Sequence, residues 1–168
     1  MLQSYLHKLV WIVGLALVQG LVLNHVHIAG YATPFIYVYL LLKIESDVSR
    51  NSLMMWGFLI GLLVDLFSDT PGMNASAMVL LGFLQPLILR LFAPRDVTDN
   101  LTPSMRTMGV AAFAKYLVAC ILIHHSWLLS LEFFSWAHAS AMLWRILASG
   151  SLSLALILAL EGIQKKKN

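Results

Sequence analysis

The apolar positions of this chain fall in long runs rather than in short alternations. Six runs stand out, at about residues 7–24, 34–44, 52–68, 73–92, 106–125 and 138–161. Five approach the ~20 residues that a helix needs to cross a ~30 Å hydrocarbon layer. The run at 34–44 is shorter. Pro34 opens it, at a position where a missing N–H costs nothing because it would be unpaired anyway. Either residues 26–33 lend this element extra backbone inside the membrane, or its neighbours shield it. Irregular backbone at that depth is tolerated only where protein covers it.

The breaks between runs carry their own signals. KIESDVSRN at 43–51 is a charged loop. The third run ends in SDTPG, where Pro71–Gly72 suits the centre of a type II turn and Thr70 equally suits the cap of a helix opened by Pro71. Gln85–Pro86 predicts a kink in the fourth run, because proline removes one backbone hydrogen bond and crowds the preceding turn. APRDVTDNLTPSMR at 93–106 is the longest polar stretch. HSWLLSLEFFSWAH at 125–138 has the Trp and Phe content of a membrane-surface element.

Composition agrees with the pattern. Hydrophobic residues make up 60% of the 168 and charged residues 11%, about half the charge fraction of an ordinary soluble domain. Mean hydropathy is +0.81. The expected fold is therefore an all-α integral membrane protein, a single transmembrane domain over residues 1–168. The start has a signal-like Lys8 and an apolar run but no small-x-small cleavage site, so it reads as a retained first helix. Basic residues orient the bundle. With six spans and a cytoplasmic N-terminus, Lys8, Lys43, Arg50, Arg90, Arg95, Arg106 and Lys165–Lys167 all lie inside, which is nine of eleven. The positive-inside rule thus selects N-in/C-in and also favours the short second run as a true span.

Three ionisable residues remain within the runs: Asp65, Lys115 and Arg145. Each is costly in hydrocarbon unless it finds a partner. Asp65 lies near the outer end of the third run and Arg145 in the outer half of the sixth, so a charge-assisted bond between them is one expectation. Lys115 sits about nine residues from either end of its run and is the worst placed. It calls for Asp65 or for carbonyls freed by Pro86. An interhelical clamp is favoured over a conduction path, because a path needs several acids and only one is in the membrane.

Other constellations are weaker. His25, His27, His124, His125 and His138 fall at the expected outer surface, where an imidazole is comfortable without a metal. No thiol pair and few acids are at hand to complete a zinc or copper site. Cys120 is the only cysteine, which excludes an internal disulfide. Gly57 and Gly61 form a G-x-x-x-G that serves packing within the chain as well as between chains. No serine, histidine and aspartate fall together as a triad, and there is no phosphate loop or nucleic-acid signature. The terminal lysines serve as a topology anchor and can touch anionic membrane lipids.

GLLVDLFSDTPGMNASAMVLLGFL resembles the signature region of the MreD family of rod shape-determining membrane proteins. Gly61, Leu62, Leu63, Asp65, Leu66, Gly72 and Ala75 match the family pattern, and the upstream PFIYVYLLL is similar to its second helix. The motifs span about residues 33–85. The resemblance implies six transmembrane helices, similar to the substrate-binding components of energy-coupling-factor transporters. It implies a non-enzymatic scaffold of the cell-elongation machinery in the inner membrane, without cofactor or metal. Its expected partner is an MreC-like protein, linking onward to MreB, RodA and a penicillin-binding transpeptidase. The alternative is a small-molecule-binding or transport subunit on the same helical plan, with an outward polar cavity. On the scaffold reading Asp65 is expected to bond Arg145 or the N–H groups of the following turn, with Asp69 favouring the same helix start, the alternative being that Asp65 reaches water at the interface. The result is a stiff corner, built with Pro71 and Gly72, against which a partner docks.

Overall fold

The computed structural model describes residues 13–25, 32–94, 101–133 and 139–167. Among them the chain is all-helical apart from loops. A helix at 13–21, α1, leads into a 3-10 turn at Leu23–His25. Then follow α2 (Val38–Leu42), α3 (Arg50–Ser68), α4 (Met73–Phe92), α5 (Met105–Met108), α6 (Val110–Phe133) and α7 (Ala139–Lys167). Four of these are long and apolar enough to cross a membrane: α3, α4, α6 over Val110–Glu132 and α7 over Ser140–Gln164. The 19 residues of α3 give ~28 Å at 1.5 Å each, close to one hydrocarbon thickness.

Helices α3 and α4 match the expected runs to within two residues, and local chemistry explains why. Ser49 caps α3 by accepting from Ser52 N at 3.2 Å. Asp69 ends it in the left-handed region, at φ 53°. Thr70 to Met73 then form a type II turn, with Gly72 at φ 82° and Met73 N donating to Thr70 O at 3.2 Å. Pro71 belongs to this turn and not to the helix, since α4 opens at Met73. The returning helix lies backbone to backbone against α3. A Cβ on Gly57 would stand 2.4 Å from Met78 O, one on Gly61 2.5 Å from Ala75 Cα, and one on Gly82 2.7 Å from Leu53 O. The G-x-x-x-G is thus used inside the chain, on an antiparallel crossing that larger residues would wedge apart.

The other runs differ from expectation in ways that matter. The run at 106–125 divides at Gly109 (φ 79°) into α5 and α6, and α6 continues through Phe133. The segment from 125 to 133 is therefore helix rather than a surface element. Residues 134–138, with His138, lie outside the described residues, as do Lys8, His27 and Arg95. α7 runs six residues past the expected end at 161. Pro86 lies within α4, which remains helical on both sides of it.

The short second run contains only five helical residues. It is preceded by buried extended chain at 34–36. Neighbouring side chains satisfy this backbone. Thr33 N donates to Ser149 Oγ at 3.0 Å, Phe35 N to Ser153 Oγ at 2.8 Å and Ile36 N to Gln19 Oε1 at 2.8 Å, while Gln19 Nε2 donates to Pro34 O at 2.8 Å. Two residues of this segment thus match four residues of α7, or ~3 Å per residue, the rate of nearly extended chain. Tyr39 then reaches Glu161. From Ser149 to Glu161 the segment follows α7 for ~18 Å in the same direction. It is irregular buried backbone whose N–H groups at 33, 35 and 36 and whose Pro34 carbonyl are held by side chains of neighbouring elements.

Candidate functional site

The first centre is the corner between α3 and α4. Asp65 is 4% exposed. Its Oδ1 accepts from Thr70 Oγ1 at 3.0 Å, Asn74 N at 3.0 Å and Asn74 Nδ2 at 2.9 Å. Its Oδ2 accepts from Ala75 N at 2.9 Å. The N-cap of α4 is Gly72, which has no side chain to cover the orphan N–H groups of the first turn. Asp65 supplies that cover from the preceding helix, where a negative charge also meets the positive end of the α4 dipole. Of the two expected partners for Asp65, the turn N–H groups are the ones it takes. Asp69 is exposed and contributes its backbone conformation.

From this corner a chain of hydrogen bonds enters the core. Asn74 Oδ1 accepts from Tyr37 Oη at 2.7 Å, and Tyr37 Oη lies 2.8 Å from His124 Nε2. His124 Nδ1 and His125 Nδ1 are 3.5 Å apart. His125 Nδ1 lies 2.9 Å from Ile121 O and its Nε2 lies 3.2 Å from Ser153 Oγ. Both histidines are 0% exposed. Their expected place at the outer surface is thereby corrected. The polar pair resembles a helix end in the sequence, yet it is mid-helix in α6 because Tyr37, Ser153 and a backbone carbonyl serve its ring nitrogens inside the bundle. Phe35 packs edge-on against His125, ring centroids 5.1 Å apart.

The polarity of the relay follows from its first member. A carboxylate only accepts, so Asn74 must turn its amide NH2 toward Asp65 and its oxygen toward Tyr37. Tyr37 has one proton and gives it to Asn74. His124 Nε2 must then carry a hydrogen and donate to Tyr37. Ser153 stands near His125 as a serine–histidine pair would, but its hydroxyl donates to Ser149 O at 2.7 Å, accepts from Phe35 N and is fully buried. Its geometry is that of a structural node joining α7 to the extended segment.

A second centre lies at the opposite end of the bundle. Glu161, 4% exposed, accepts from Lys43 Nζ at 3.1 Å, from Met105 N at 3.2 Å and from Tyr39 Oη. Beside it Ser46 N donates to Leu101 O and Leu101 N to Ser46 Oγ, both at 2.9 Å. This ties the 43–49 loop to the chain entering α5. Glu161 was not singled out from sequence because it closes an apolar run and looks like a solvated terminus.

Arg145 does not meet Asp65. Its Nη1 donates to Glu132 Oε1 at 2.8 Å. The reason is the extra length of α6, which brings Glu132 beside α7. Lys115 meets neither Asp65 nor Pro86. It is exposed on the outside of α6, and since that helix begins at Val110 it stands only ~8 Å from the helix start. Its stem can lie along apolar surface while the ammonium reaches the nearby boundary. Pro34 sits where the extended segment begins its buried course and presents its carbonyl to Gln19. At the Asp65 end a cavity of about 190 Å³ opens among Thr33, Phe35, Asn74, Glu132, Arg145 and Ser149. Comparison with protein-family models, with characterised proteins and with solved structures returns no match.

Proposed function

We propose that this chain is a non-enzymatic scaffold of the cell-elongation machinery, similar to MreD, that binds an MreC-like protein in the inner (cytoplasmic) membrane. In this role it couples MreB filaments to peptidoglycan synthesis by RodA and a penicillin-binding transpeptidase. The observation that carries the reading is the corner itself. The stretch that resembles the family signature forms one closed unit, with Asp65 locking the start of α4 and Gly57 and Gly61 closing the helices backbone to backbone. Polar groups near it are committed to holding shape: among the described residues no buried side-chain nitrogen or oxygen lacks a partner. A stiff, satisfied framework suits docking more than chemistry.

The proposed topology is six passages, N-in and C-in. It is supported by the parallel course of the 33–44 segment and α7, as second and sixth passages require, and by the antiparallel pairing of α3 with α4. Lys43 and Arg50, with Arg90, Arg106 and Lys115, gather toward the Glu161 end, which the positive-inside rule makes cytoplasmic. The Asp65 corner then faces outward, where a periplasmic partner is within reach.

The test is affinity purification of the tagged protein from native membranes in gentle detergent, read by mass spectrometry. Near-equal recovery of an MreC-like single-span protein is expected. Recovery of a pair of ATPase subunits instead, with no such partner, overturns the scaffold reading in favour of a transport subunit.

A further inference from the structure

We propose that the cavity at the Asp65 end is a binding site for a small zwitterion, a group that carries an ammonium and a phosphate or carboxylate a few ångströms apart. The site stands on its own geometry and does not rest on the scaffold reading.

Among the described residues, two charged ones line the cavity, Arg145 and Glu132, of opposite sign and 2.8 Å apart. A lining with no net charge repels neither half of a zwitterion and gives each half a counter-charge. The fork of a guanidinium can hold Glu132 and an incoming oxyanion together, in the planar geometry that suits carboxylate and phosphate. Glu132 accepts hydrogen bonds only, as a primary ammonium requires. The Glu132 side chain is 46% exposed and that of Arg145 20%, so both are reachable.

The Glu132–Arg145 pair edges a cavity, whereas Glu161 at the other end of the bundle is almost fully buried. The rest of the wall is pre-formed: Asn74 is held by Asp65, and Ser149 Oγ by Thr33 N. Phe35 gives it an apolar face.

Size narrows the ligand. About 190 Å³ is the room of roughly six liquid waters at ~30 Å³ each, below the ~300 Å³ at which sites for larger organic ligands begin. An amino acid fits, and so does the headgroup of an ethanolamine phospholipid with its acyl chains left outside.

The experiment uses the full chain in phosphatidylglycerol nanodiscs, titrated by calorimetry with O-phosphoethanolamine and with L-alanine. A second preparation in mixed phosphatidylethanolamine and phosphatidylglycerol is delipidated stepwise and read by native mass spectrometry. Saturable binding of one probe is expected, weakened at least about tenfold by Glu132→Gln and by Arg145→Gln, a loss of about 1.4 kcal/mol or more. Phosphocholine, whose ammonium has no N–H, is expected to bind more weakly than phosphoethanolamine. Phosphoethanolamine binding with selective retention of phosphatidylethanolamine assigns the lipid. Binding of either probe without such retention assigns a free solute. No binding of either probe, or unchanged affinity in Glu132→Gln, overturns the proposal. Glu132 is half-exposed at a helix surface, so this variant decides the matter even where Arg145→Gln fails to fold.

Discussion

Asp65 accepts hydrogen bonds from both the backbone N–H and the side-chain amide of Asn74, at 3.0 and 2.9 Å. One residue thus anchors the start of α4 and sets the orientation of the amide that begins the polar relay. Removing the carboxylate leaves two backbone N–H groups and an amide buried without their acceptor. Asp65→Ala is expected to lower stability by about 2–3 kcal/mol, more than an ordinary exposed cap. Asp65→Asn is expected to lose about half of that, since it keeps one acceptor oxygen. Denaturant unfolding in detergent micelles, followed by tryptophan fluorescence, measures both. Wild-type stability in Asp65→Ala would show that the corner carries no load.

The relay makes a sharper prediction through Tyr37 and His124. Tyr37→Phe leaves Asn74 Oδ1 and His124 Nε2–H facing one another across a gap with no partner, so it is expected to cost about 2 kcal/mol. His124→Phe, which leaves Tyr37 with its bond to Asn74, is expected to be milder. A double-mutant cycle is expected to return a coupling energy of about 1 kcal/mol or more, as for residues in one network. Nitrogen-15 spectra provide a check on the hydrogen placement: His124 is expected to carry its proton on Nε2 in the wild type. An Nδ1-protonated ring would reverse the argument from Asp65 onward.

Much of this was legible in the sequence where one physical rule dominated. α3 and α4 were found because length, apolar content and the Thr70-Pro71-Gly72 turn agree. The fate of the second run was legible in outline, since a run this short needs either added backbone from 26–33 or cover from its neighbours, and the segment at 34–42 is largely buried. Tyr37 and Tyr39, two residues apart in that run, were passed over because their partners are distant in sequence. The histidine pair failed for the same reason. Polarity in a membrane segment reads as a helix end unless the serving group is known, and here it comes from Tyr37, 87 residues away. Arg145 pairs with Glu132 rather than Asp65 because α6 runs eight residues past the expected end at 125, and the aromatic content that marks 125–138 as a surface element hides that extension.

Two settings of helical glycine have opposite expected outcomes. Gly57 and Gly61 face backbone at 2.4 and 2.5 Å, so even an added methyl group forces α3 and α4 apart. Gly61→Val is expected to cost 3 kcal/mol or more, on the order of other severe core overpacking. Gly162, in α7, meets nothing within 4 Å. Gly162→Ala is expected to be neutral or to stabilise by up to about 1 kcal/mol, the helix propensity difference. Thermal unfolding of the two variants side by side tests the crossing, and equal tolerance would contradict it.

The Glu161 lock should be separable from the Asp65 corner. From Arg145, at the corner end, to Glu161 is 16 residues along α7, or ~24 Å, a separation at which mutational effects are expected to add. Glu161→Gln removes the counter-charge of Lys43 while keeping one acceptor. The Lys43 side chain is 25% exposed, so water screens part of the loss, and about 1–2 kcal/mol is expected rather than the 3–5 of a fully buried pair. Lys43→Met combined with Glu161→Gln is expected to recover part of that, because no unpaired charge then remains. The local signature is in amide exchange. The Met105 N–H loses its carboxylate acceptor, so exchange at 101–108 is expected to quicken while 65–75 stays protected. Parallel loosening of both regions would mean that the two ends form one cooperative unit, and the division of the bundle into two locks would have to be abandoned.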